Sequence, residues 1–317
     1  MNHRPQVGAF FFLLGLLPLG AASLLVQNVT AADLVFAAGE RLGIWDEAGI
    51  NESSGIIQSL SGKNIFWTHN DNGNKWLACA QKDGTYLGQL NLSNSPKLDD
   101  TEDICTGPGP VSGQHYIYYA DVGDNSAKRS EVRVLRFIEP EIEGKFKAKS
   151  VSVETLIFKY PDGSRDCESV MVDPRTKDLY FVSNRDNPVR LYVARYPQPI
   201  DSLTTLEKLG DLPISVGTSI TGGDMSADGS EILLRRSNRA FYWYRGENET
   251  VLQTMSRDPV VLKLNDQKKG EAICRAKDGS GFYTSSEGDM FLDWYKRLSP
   301  SLSSVEQKTP KEKIPAK

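Results

Sequence analysis

Between residues 50 and 298 the apolar residues fall in short runs separated by Gly, Asp and Asn, and the 3.6-residue spacing of an amphipathic helix is nearly absent. The runs repeat in a fixed order. Each unit opens with a short apolar strand ("GIIQSL", "DICTG", "SVMVD", "GDMSA", "AICRA"). A polar turn follows ("SGKN", "VSGQ", "PRTKD", "ADGS", "KDGSG"). The next run is rich in aromatic and branched residues ("IFWTHN", "YIYYAD", "LYFVSN", "EILLRR", "GFYTSS"), which suit a pleated, half-buried surface. A third strand is predicted at "KWLACAQ", "EVRVLRFI", "VRLYVARY", "AFYWYRG" and "FLDWYKRL". Four units add a fourth at "YLGQLNL", "VSVETLIFKY", "TTLEKLGDL" and "PVVLKLN".

An acid recurs at the threshold of the opening strand. Glu52, Glu102, Glu168 and Glu271 are spaced by 50, 66 and 103 residues, and the last gap holds two units. Setting "SADG" (226–229) in register with "AKDG" (276–279) puts Thr221 where Glu271 stands and Asp224 where Cys274 stands. Tandem four-stranded units of this length are propeller blades. The fold class read here is all-β: a β-propeller of five blades, or six if the long second unit hides one. A two-sheet sandwich would match the strand content but not the recurring acid. The last unit stops after three strands near Leu298, and the segment 32–45 has no partner of its own. That segment is expected to supply the missing strand and close the ring, which removes an exposed sheet edge.

The termini read differently. Residues 7–26 are apolar, follow His3 and Arg4, and precede small residues with a cut expected after Ala31, so 1–31 reads as a signal peptide. The stretch is also near the length of a membrane span, which makes an N-terminal anchor the alternative. Either places the body, 32–298, in the periplasm or outside the cell, with membrane contact only if the segment is uncleaved. Residues 299–317 are polar, charged and Pro-containing and read as a disordered tail. A net charge of −4 without a basic cluster argues against nucleic acid. Cys79, Cys105, Cys167 and Cys274 allow two disulfides in an export context, or serve as small buried side chains. No C-x-x-C pair points to zinc. The reading is of a monomer.

The chemistry follows from the ring. In a blade the start of the first strand lies beside the end of the second. Glu52 is thus expected near Asp71, Glu102 near Asp121, Glu168 near Asn184 and Asp186, and Glu271 near Glu287, all at one mouth of the central channel. Like charges so close raise one another's pKa unless compensated. A hard cation such as calcium takes six to eight oxygen ligands, the set on offer here. Arginines of the same loops (Arg165, Arg185, Arg235, Arg236, Arg239) could neutralise the acids, or the acids could accept backbone N–H bonds. The expected metal ligands are Glu52, Asp71, Glu102, Asp121, Glu168 and Glu271. Asn70, Asn184, Arg185, Arg236 and Glu287 are expected to contact a small-molecule or protein ligand. His69, in "WTHNDNG", is the sole candidate imidazole base, because His3 lies in the leader and His115 beside a turn. No G-x-S-x-G elbow supports a serine hydrolase.

The stretches "NESSG", "FWTHNDNG", "DTEDICTGPG", "YADVGDN" and "GEAI" resemble secreted bacterial propellers. Over residues 45–298 the chain is similar to the SdiA-regulated and phytase-like (esterase-like) propeller groups. The phytase-like resemblance implies calcium held by a channel-mouth carboxylate cluster, at Glu52, Glu102, Glu168 and Glu271 by position. The chain departs from that pattern at Thr221 and lacks a dense lysine cluster for a polyanionic phosphate. Three functions compete. One is a cation- or small-ligand-binding propeller. The others are a metal-assisted hydrolase of esters, lactones or phosphoesters, and a non-catalytic interaction scaffold.

Overall fold

In a computed structural model, which describes residues 35–45, 49–214 and 219–298, five sheets stand radially around one axis. The chain is an all-β, five-bladed propeller. The segments 1–31 and 299–317, read as leader and tail, lie outside the described residues.

Strand β1 (Glu40–Ile44) precedes the first blade, which begins with β2 (Ser53–Gln58), β3 (Ile65–Asn70), β4 (Trp76–Gln81) and β5 (Tyr86–Ser93). Blade two begins with β6 (Thr101–Pro108), β7 (His115–Asp121) and β8 (Val132–Ile138). The chain then doubles back. β9 (Ala148–Ser152) runs parallel to β5 as a fifth strand of blade one, and only then does β10 (Glu154–Lys159) pair with β8. Blade three holds β11 (Cys167–Val172), β12 (Leu179–Ser183) and β13 (Arg190–Ala194). Before it closes, β14 (Leu203–Thr205) runs parallel to β10, and β15 (Glu207–Asp211) then completes it. Blade four holds β16 (Gly222–Met225), β17 (Glu231–Arg236), β18 (Arg239–Tyr244), a short helix α1 (Val251–Met255) and β19 (Val260–Lys263). Blade five holds β20 (Gly270–Arg275), β21 (Gly281–Ser286) and β22 (Phe291–Lys296).

Two of the expected fourth strands are therefore each two strands. In "VSVETLIFKY" the buried Val153 separates β9 from β10, and in "TTLEKLGDL" the buried Leu206 separates β14 from β15. Each apolar residue anchors the crossing between neighbouring blades. Helix α1 also escapes the periodicity reading. It spans one turn and a half, and a capping box between Thr250 and Gln253 starts it.

The hydrophobic residues form five clusters, and each lies in the seam between two blades. Ile57, Trp67 and Leu90 of blade one pack with Ile104 and Tyr119 of blade two. Blades two and three meet through Tyr118, Phe158 and Phe181, and blades three and four through Val182, Leu234 and Trp243. Blades four and five meet through Leu233, Tyr242 and Phe282, and blades five and one through Cys274, Leu292, Ile56 and Phe66. All four cysteines are free and buried, so they belong to the packing.

Closure is as expected from the unpaired segment 32–45. β1 pairs antiparallel with β22 as the outer strand of blade five. Arg41 fastens it: Nε donates to Asp293 Oδ1 at 3.0 Å, and the guanidinium lies 3.4 Å from the centre of the Phe291 ring. Asp293 is fully buried, and Gln267 Nε2 donates to its other oxygen at 3.0 Å. Arg41→Ala would strand a buried carboxylate and is expected to cost about 1–3 kcal/mol, read as a lower urea midpoint at unchanged slope.

Candidate functional site

Four inner strands break register with their neighbours at the same point. The irregularity falls between Ser53 and Gly55, Thr101 and Asp103, Cys167 and Ser169, and Gly270 and Ile273. The residue left over is Ser54, Glu102 or Glu168, and in blade five Glu271 with Ala272. Such a bulge turns its side chain out of the regular pleat. The threshold acid is therefore a bulge residue, which is why it reaches the axis instead of a seam. The register corrects one expectation: blade one presents Ser54 at this position, and Glu52 stands two residues upstream. Asp100 and Asp166 occupy that upstream position in blades two and three.

The two blades without a threshold acid use hydroxyls to bind their neighbours. Ser54 Oγ donates to the backbone oxygen of Glu102 at 2.9 Å and approaches its carboxylate at 3.3 Å. Thr221 Oγ1 donates to the carbonyls of Gly270 and Glu271 at 3.0 and 3.2 Å.

Around the mouth, Asp71, Glu102, Asn125, Glu168, Arg185, Lys269, Glu271 and Glu287 line a cavity of 210 Å³. Within and beside it, oxygens of Glu102, Asp166 and Glu168 all lie within 4.8 Å of one another. The bare backbone of Gly123 lets the carboxylates gather: a β-carbon there would sit 2.4 Å from Glu102 Oε1 and 2.6 Å from Asp100 Oδ2. Asn184 Nδ2 donates to Glu168 and, at 3.3 Å, to Asp166. Arg185, at a left-handed φ of 57°, brings Nη1 within 3.4 Å of Asp166 and Nη2 within 4.0 Å of Glu168. Lys269 pairs with Glu287 at 2.5 Å.

Five carboxylates thus face two cations, Arg185 and Lys269, and Asp71, Glu102, Glu168 and Glu271 hold protons more tightly than usual. Burial, reinforced by Glu168 and Asp100, pushes Glu102 far above the ordinary carboxylate range. Burial and then Glu271 raise Glu168 to about 8. Burial and then Glu287 raise Glu271 to about 7, and the same two causes raise Asp71 to about 6. Asp100 is also raised, by burial and then Asp166.

Asn70 and Asp121 end the second strands of their blades and fix the opening turns. Asn70 Oδ1 accepts the N–H groups of Asn51 and Glu52 at 3.2 Å, and Asp121 Oδ1 those of Asp99 and Asp100 at 3.0 and 2.8 Å. Asp121 is also paired with Arg129 at 2.8 Å and does not line the cavity. Glu52 is partly exposed, 3.4 Å from the amide of Asn72. Arg236 ends β17 opposite Arg239, outside the cavity lining. Arg165 lies 3.6 Å from Asp186. Arg235 is buried, donating to the carbonyl of Ala272 at 2.7 Å and to Gln267 at 2.6 Å, so it ties blade four to blade five. His69 is fully buried, edge-on to Tyr119, with Nδ1 3.0 Å from the Asn70 carbonyl. Burial lowers its pKa to about 4, and it does not line the mouth. Asp100, Asp166, Asn125 and Lys269 are additions. The spacing D-x-E in "DTE" and "DCE" is the sequence signal that marks the first two.

No protein-family profile matches the chain, and no curated protein is similar enough to count as a relative. The fold and the mouth geometry therefore carry the functional reading.

Each raised acid takes up a proton on folding. Its contribution is complete near pH 4 and is lost as pH rises through the folded values of about 6 to 8 and beyond. The metal-free protein is expected to melt at progressively lower temperature from pH 5 to pH 9. Glu102→Gln, which removes the most crowded acid, should stabilise it by about 2 kcal/mol at pH 8 and hardly at all at pH 5. Paired thermal melts at the two pH values check this.

Proposed function

We propose that the acidic mouth is a calcium site and that the protein is an exported propeller which binds this cation, and through it a small ligand. The observation that carries the reading is the trio Glu102, Asp166 and Glu168, with oxygens within 4.8 Å of one another. That span is about twice a calcium–oxygen bond of about 2.4 Å, so a small inward shift of the side chains would bring all three onto one ion. Asp71, Glu271 and the Asn125 amide border the same cavity and add oxygens toward the six to eight that calcium takes. Bound calcium would replace protons as the neutralising charge and so reverse the pH penalty of the crowded acids. Protons compete for the same oxygens near neutral pH, which fits the weak, millimolar affinities of extracellular modules and agrees with the leader-like residues 7–26.

Hydrolysis of an ester, lactone or phosphoester is the second reading. Glu271 at about 7 and Asp71 at about 6 would provide proton-transfer groups beside a polarising ion. A substrate panel that stays silent with calcium present would leave only the binding function.

Calcium is expected to raise the melting temperature of metal-stripped protein, with a shift that grows with free ion and is larger at pH 8 than at pH 5. The pair Glu102→Gln and Glu168→Gln should abolish the shift. Identical melts in calcium and in EDTA would sink the proposal.

A further inference from the structure

The axis has a second end. The five inner strands finish at Gln58, Pro108, Val172, Met225 and Arg275, and around those ends lies a cavity of 320 Å³. Its volume is in the range of small-molecule pockets. Ile57, Leu60, Pro108, Val172, Pro174 and Met225 make its walls largely apolar. The acidic mouth is at the other end of the inner strands, roughly 20 Å away for a six-residue strand. Between the two, the buried carboxylate of Asp103 fills the axis. It accepts the N–H groups of Ile104 at 2.8 Å and Val170 at 2.9 Å, and also that of Gly223 from blade four.

The charges in this lower cavity are nearly all engaged. Lys277 Nζ donates to the Gly62 carbonyl at 2.9 Å, and the Arg275 guanidinium pairs with Glu231 through Nη2, its unpartnered Nε and Nη1 being buried away from the cavity's open space. Among the described residues Asp224 is the one carboxylate in the lining, and it is partly accessible. Its Oδ1 accepts the Met225 N–H at 2.9 Å and its Oδ2 the Arg275 N–H at 2.7 Å, which leaves each oxygen a second lone pair. An anionic ligand would meet this carboxylate, and a cationic one would sit beside Arg275 and Lys277. Either charge would lose water without gaining a free counter-ion. A neutral O–H loses little and gains a charge-assisted hydrogen bond.

We propose that the lower cavity binds a small, uncharged, largely apolar molecule carrying one hydroxyl, which donates to Asp224. Burial holds this carboxyl at about 7, so a donor that favours the ionised form should release its proton near neutral pH.

The test uses 2-naphthol as probe, with naphthalene and 2-naphthoate as controls, on full-length protein by saturation-transfer NMR, first in EDTA and then in calcium. 2-Naphthol is expected to saturate a single site, naphthalene to bind roughly tenfold more weakly, and naphthoate not to bind. Asp224→Asn should weaken 2-naphthol roughly tenfold and leave naphthalene unchanged. Ala227→Trp and Thr106→Trp, at an exposed and a half-buried lining position, should block both neutral probes while the melting temperature holds. Absence of saturable 2-naphthol binding to the folded protein overturns the proposal, as does equal binding of all three probes or indifference to both tryptophans. Glu102→Gln should leave the affinity unchanged whether or not calcium binds the mouth, and a loss with that variant would place the probe at the wrong end and overturn it too.

Discussion

No blade has a core of its own. Each of the five hydrophobic clusters takes one wall from one blade and the second wall from the next. A single blade would expose both faces to water, so burial is complete only when the fifth seam forms. That condition makes β1 more than an ornament of the last sheet. By pairing with β22 it holds blade five against blade one, where Trp45 donates to the Gln81 carbonyl at 3.0 Å. Side chains at the inner edges add to the seams, as when Asp103 receives the Val170 N–H and Gln58 that of Lys277. Radial packing then aims the opening residue of every inner strand at a common axis. The concentration of charge at one mouth is a by-product of how the core is made.

Electrostatic crowding at that mouth is sharpened by the bulges. A regular strand would send Glu102 and Glu168 into or out of a seam with the pleat, and a buried seam would not tolerate them. The extra residue frees each glutamate from the ladder, while Ser54 and Thr221 at matching places bond across the seam instead. The bulge therefore serves adhesion in blade one and a carboxylate cluster in blades two, three and five, while blade four reaches the same adhesion from a regular strand. Asn70 and Asp121 show a similar division: both sit at the end of a second strand, and both hold an opening turn by accepting two N–H groups.

Strand order, blade count and ring closure were legible because they rest on patterns with strong physical causes: period-two alternation, Gly/Asp turns, and a unit one strand short. The positions of Glu102, Glu168, Glu271 and Asp71 at one mouth followed from that topology. Glu52 lies near enough to Asp71 to help raise its pKa, as expected, but Ser54 takes the bulge position in blade one: a bulge shifts register by one residue without any signature in hydrophobicity, and an acid two positions upstream imitates the threshold residue. Asp121 ends β7 and Arg129 lies in the loop that follows, and their pairing depends on loop geometry that no periodicity reports. The backward crossings through β9 and β14 were hidden for a related reason. Val153 and Leu206 read as ordinary strand interiors, and only three dimensions show that the chain changes blades there.

Those crossings give the disc two unlike halves. β9 and β14 add a parallel strand, lent by the following blade, to the outer edges of blades one and two, whereas blades three, four and five end in β15, β19 and β1. The perimeter is thus laced from blade to blade on one side. Pulling blade two from blade one, or blade three from blade two, must also unpair a strand, a penalty that seam packing alone does not impose.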